Sequence, residues 1–173
     1  ATRRREASGS GGGGLFPDTT GVNPDNTNGN GGTIEVPVTD PTYEVIPGIV
    51  DFGSTKKPQP YDGYVTAAFV DLNKYWTEAY PEAYGAPFEP LSGGIYAAYP
   101  DRQEPIPGCG KPQSDYQDVY QNAFYCYVGD FIAYDDDAFI PGMVDIGREA
   151  AVITLAHEYG HLIQNRGGQR NYP

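Results

Sequence analysis

Between Asp62 and Pro81 the apolar residues Val65, Phe69, Leu72 and Trp76 recur at i, i+4, i+7 and i+11, the spacing of one helical face. Asp62 is placed to cap that helix and Pro81 to stop it. Residues 93–100, GGIYAAYP, have strand composition, and residues 124–134, FYCYVGDFIAY, are aromatic and β-branched enough for one or two strands about a turn at Gly129 and Asp130. A last helix is predicted to start near Asp145 in DIGREAAVITLAHEYGHLIQNRGG. Asp145 caps it, Ile146, Ala150, Ile153, Ala156 or His157, Gly160 and Ile163 run along one side, and Gly167 and Gly168 end it. Residues 42–52, TYEVIPGIVDF, read as an edge strand or a strap. Before them lie SGSGGGG and NPDNTNGNGG, with few apolar positions to offset the entropy of ordering a backbone. The pattern therefore predicts a flexible linker over 1–42 and an α+β domain over 43–173, with no internal repeat.

Composition narrows the function. Lys plus Arg total 11 against 23 Asp plus Glu, a net charge of -12, which repels phosphate backbones and anionic lipid and argues against a nucleic-acid partner. No apolar run approaches the ~18 residues of a membrane span, and ATRRREASGSGGGG lacks the apolar core of a signal peptide. The first residue is not Met, so the chain is expected to begin inside a longer reading frame, with room for a signal or a membrane tether upstream of residue 1. Cys109 and Cys126 are the only cysteines. Their spacing is not that of a redox or zinc-knuckle motif. A disulfide between them closes a loop worth about 3 kcal/mol, and the alternative is two buried thiols of a cytosolic protein. The acidic, tyrosine-rich, lysine-poor composition leans toward the disulfide.

The candidate chemistry is HEYGH, which contains both histidines of the chain. On a helix His157 and His161 differ by about 40° around the axis and about 6 Å along it, so both imidazoles can meet one ion. This arrangement gives zinc two nitrogen ligands. Glu158 is turned about 100° from His157, free to act as general base toward a water that zinc has made more acidic. Gly160 inside the helix costs about 1 kcal/mol relative to alanine and predicts that another segment packs closely there. Gln164 and Gly167 stand where the metzincin pattern requires glycine and histidine, which excludes that class. No third ligand follows within the motif. Glu149 is about 12 Å along the axis from His157, Glu104 and the Asp135, Asp136, Asp137 run are conceivable donors, and a run of three aspartates more often forms a solvated turn. The expectation is a chain cut after the motif helix, before its third ligand.

GCG at 108–110, NAFYC at 122–126, GDFIAYDDDAF at 129–139 and ITLAHEYGHLIQ at 153–164, preceded by a helix carrying Tyr75 and Trp76, together resemble the neutral zinc metallopeptidase family of bacteria. The resemblance covers roughly residues 61–166, and its last block is the most specific. It implies a zincin-like fold, Zn2+ held by His157 and His161, Glu158 as catalytic base, and a third ligand, a glutamate on a later helix, without counterpart in this sequence.

The expected function is hydrolysis of peptide bonds in a peptide or protein substrate, by a secreted or cell-surface bacterial enzyme. The substrate lies along a sheet edge assigned to Phe131, Ile132, Ala133 and Tyr134, a short apolar strand shortly before the helix. The rival readings are a catalytically inactive binding or structural protein of the same fold and a non-peptidase zinc hydrolase.

Overall fold

Helix α1 spans Asp62–Tyr84 in the computed structural model, which describes residues 48–168. The segments 1–47 and 169–173, and with them the predicted linker, lie outside the described residues. Asp62 is the first residue of α1, and its carboxylate accepts the Gln59 N–H. Pro81 does not stop the helix. It sits in the last turn, where its missing N–H removes a single backbone bond, and the chain turns out only at Gly85, in the left-handed conformation that glycine tolerates. The predicted stripe is half of the picture: Val65 and Phe69 are core, but every residue from Tyr64 to Val70 is buried, so the first turns of α1 are covered on all sides.

Strand β1 (Gly94–Ala98) follows, then two-residue strands β2 (Ile106–Pro107) and β3 (Gln113–Ser114), short helix α2 (Tyr116–Val119), and strands β4 (Ala123–Cys126) and β5 (Phe131–Asp135). The predicted turn at Gly129 and Asp130 joins β4 and β5 into an antiparallel hairpin, with Cys126 opposite Phe131. The three-stranded order is β1-β5-β4, with β1 parallel to β5. Of the predicted edge or strap over 42–52, Asp51 exchanges backbone hydrogen bonds with Ile95 and Ala97 along the outer side of β1.

Side-chain alternation gives the sheet two buried faces. Ile95, Ala97, Ile132 and Tyr134 join Val65 and Phe69 of α1 in the main core. Phe131, Ala133, Cys126 and Ala98 point the other way and pack with Ile106 and Val119. Cys109 and Cys126 are disulfide-bonded, which ties this smaller face to the loop carrying β2 and β3.

The predicted long last helix is two helices, α3 (Phe139–Ile146) and α4 (Arg148–Arg166), separated at Gly147. Asp145 therefore lies in the last turn of α3 and caps nothing in α4. The face of α4 that enters the core is Ala151, Leu155, Tyr159, Leu162 and Ile163. Of the stripe expected to face inward only Ile163 is buried, and Ile146 and Ile153 are 75% and 67% exposed. Apolar residues line both sides of this helix, so periodicity alone does not choose between them. With Val152, Ile153 lines an open groove opposite Tyr64, Ala67 and Ala68 of α1.

The described domain is α+β, with small sheets and helices segregated mainly to one face. No described helix is long and apolar enough to cross a membrane.

Candidate metal centre

The register of α4 sets the site. Packing of Leu155, Tyr159 and Leu162 into the core rotates His157 toward solvent, leaves His161 half-buried and turns Glu158 inward, 9% exposed, against β4. The two imidazoles come together as the spacing predicts, Nε2 to Nε2 at 3.1 Å. Tetrahedral zinc with Zn–N bonds of about 2.0–2.1 Å separates two nitrogen ligands by about 3.3 Å. The observed pair thus converges on a point at which a small rotation of either ring completes that geometry. A Glu158 oxygen belongs to the same cluster, all three donor atoms lying within 4.8 Å of one another. The two imidazoles supply two of the nitrogen ligands that suit zinc, and the carboxylate beside them is within reach of a water on such an ion.

Glu158 is held from the sheet side. Its Oε2 accepts the backbone N–H of Tyr125 at 3.0 Å. Burial pushes its carboxyl above the ordinary carboxylate range, opposed by that N–H and by the two imidazoles. Tyr125 extends the connection: its hydroxyl donates to Asp130 Oδ1 and accepts from Asn165 Nδ2, each at 2.9 Å. Asp130 Oδ2 accepts from Arg166 at 2.7 Å and from the backbone and hydroxyl of Ser92. The strand that meets the carboxylate and the helix that carries it are therefore fixed to each other by one polar network. Gln164, three residues beyond His161, places its Oε1 3.0 Å from His161 Nδ1.

The conceivable acidic donors are committed elsewhere. Asp135 is fully buried and accepts the N–H groups of Gln121, Asp137, Ala138 and Phe139 and the Tyr116 hydroxyl. Asp136 is buried against Lys56. The run does form a turn, with Asp137 exposed, but Asp135 and Asp136 are buried, and Asp135 orients the start of α3. Glu104 accepts the Ser54 N–H. Among the described residues the metal-type cluster contains His157, Glu158 and His161 and no further carboxylate.

Two expectations need correction. Phe131, Ile132, Ala133 and Tyr134 do not form a sheet edge: β5 pairs with β1 on one side and β4 on the other, and all four residues are 0% exposed. An apolar run that fills both faces of a sheet is stable at its centre, where two covers exist. The edge beside α4 is β4, whose outward N–H at Tyr125 meets Glu158. At Gly160, an added Cβ meets nothing within 4 Å, so no described segment makes the close approach inferred from that glycine.

Asn165 and Arg166 escape sequence reasoning because their contacts with Tyr125 and Asp130 join residues far apart in the chain. Gln164 was within reach, since i+3 from a candidate ligand is a contact position on a helix.

No protein-family model, curated protein or solved structure matches this chain.

Proposed function

We propose that this protein is a zinc-dependent metallopeptidase of zincin-like architecture. The observation that carries the reading is the convergence of His157 Nε2 and His161 Nε2 at 3.1 Å with the Glu158 carboxylate in the same cluster. When bound there, zinc supplies Lewis acidity that polarises a scissile carbonyl and makes water more acidic. His157 and His161 hold the ion. Glu158 accepts the proton of the attacking water and delivers it to the leaving amine. The buried side of Glu158 rests on the Tyr125 N–H, which orients the carboxylate toward the histidines.

A peptide is the substrate favoured by the sheet. Strand β4 pairs with β5 on one side only, and its other edge runs beside Glu158, so an extended chain can add there through the outward backbone groups other than the Tyr125 N–H, which Glu158 holds. The remaining ligand is supplied from outside the described residues.

The test is metal analysis with peptide hydrolysis. Purified without chelator together with the segment that supplies the remaining ligand, the protein should carry about one zinc per chain. Glu158→Gln should keep the metal and lose at least about a thousandfold in hydrolysis, whereas His157→Ala or His161→Ala should lose both. Near-normal turnover by Glu158→Gln overturns the assignment of the base. Metal retained without cleavage of any peptide favours the inactive binding protein instead.

A further inference from the structure

We infer that Gln164 is a positioning residue that makes the two histidines unequal partners, with His161 preset to ligate and His157 required to rearrange. The inference rests on the zinc reading above and deepens it.

Hydrogen placement sets the two histidines apart. An amide Oε1 only accepts, so the 3.0 Å contact with His161 Nδ1 requires the hydrogen on that nitrogen. A neutral imidazole with hydrogen on Nδ1 presents a lone pair at Nε2, the atom facing His157. At 3.1 Å His157 Nε2 must then be the donor to His161 Nε2. His161 is therefore already the tautomer that a metal needs, with an outer partner of the kind that commonly fixes metal-bound histidines. His157 carries its hydrogen on the atom that must bind. To ligate, it releases the Nε2 hydrogen to solvent and takes one at Nδ1, with no net change in protonation. Its exposure gives water access for that exchange.

Helix geometry explains why the residue three positions on can do this. Gln164 lies about one turn beyond His161 on the same side of α4, away from the core face formed by Leu155, Tyr159 and Leu162. Its replacement leaves the core intact. Methionine is the suitable variant, because it keeps length and helix propensity and removes the acceptor.

The test reads imidazole 15N–1H correlations of the labelled chain at about pH 8, above the ordinary histidine range, after chelator dialysis and again with added zinc. The expected result is Nδ1–H at His161 in both samples, and at His157 a change from Nε2–H to Nδ1–H when zinc is added. Gln164→Met should release His161 to a tautomer mixture and weaken zinc binding, by competition with a chromophoric chelator, about ten- to a hundredfold. Gln164→Glu, which restores an acceptor, should restore both. Nε2–H at His161 in the wild-type chain, or an unchanged His161 tautomer in Gln164→Met, overturns the inference. If the expected tautomers are found and no zinc binds, the hold of Gln164 on His161 is supported and the zinc reading is what fails.

Discussion

Replacing Asp136 with asparagine should change the pH dependence of stability in a direction opposite to that of most buried ion pairs. Asp136 is 5% exposed, and it shares the Lys56 ammonium with Asp62 at 2.6 and 3.1 Å. Two carboxylates thus face one cation, and Asp136 Oδ1 has no hydrogen-bond partner among the described residues. Tyr61, which donates to the Asp136 carbonyl, and Tyr134 complete the surroundings. Burial pushes the Asp136 carboxyl up from 3.8 to about 6, helped by the Asp62 charge and opposed by Lys56.

An acid whose folded value is raised binds its proton more tightly in the folded state. Its contribution to stability is greatest below the unfolded value and is lost as pH rises toward and through the folded one. A rise from 3.8 to about 6 corresponds to about 3 kcal/mol, at about 1.4 kcal/mol per unit. Asparagine removes this dependence, and Lys56 keeps Asp62 as its partner. Urea unfolding of both proteins from about pH 4.5 to 7.5 should show Asp136→Asn gaining on the wild type as pH rises, by about 2 kcal/mol across this window, the first part of the ~3 kcal/mol being lost below it. A difference that stays constant, or a variant that weakens toward neutral pH, refutes the reasoning.

Three further outcomes follow from the same contacts. Arg166→Met removes the donor to Asp130 and to the carbonyls of Glu89 and Pro90; the expected loss is about 2–4 kcal/mol, seen as a melting temperature lowered by about 10 °C. Asp135→Ala leaves four backbone N–H groups without their acceptor, so it should cost about 3–5 kcal/mol in urea unfolding, and a loss under about 1 kcal/mol would show that water replaces the carboxylate. Reduction of Cys109–Cys126 should cost about 3 kcal/mol by chain entropy, and intact-mass measurement should find no free thiol before reductant is added.

The sequence by itself determined the elements with strong local causes. α1 shows in the return of Val65 and Phe69, the β4–β5 hairpin in a β-branched and aromatic run interrupted by Gly129 and Asp130, and the histidine pair in a spacing that any helix converts into proximity. The disulfide was legible because the chain has just two cysteines.

Tertiary structure decided which side of each element is inside. On α4 the apolar residues admit two faces, and the sheet selects Leu155, Tyr159 and Leu162 over Ile146 and Ile153, which in turn aims Glu158 at β4. A strand's own residues do not say who its neighbours are, so β5 could be taken for an edge until β1 and β4 were seen on either side of it. The aspartate run shows the same limit. Asp135 and Asp136 are hydrophilic by type, and they are buried because donors from Gln121, Phe139 and Lys56 reach them only after the chain has folded. Local spacing fixes which groups can meet along one helix, but burial and pairing depend on surfaces that distant segments bring, and those surfaces do not exist before the fold does.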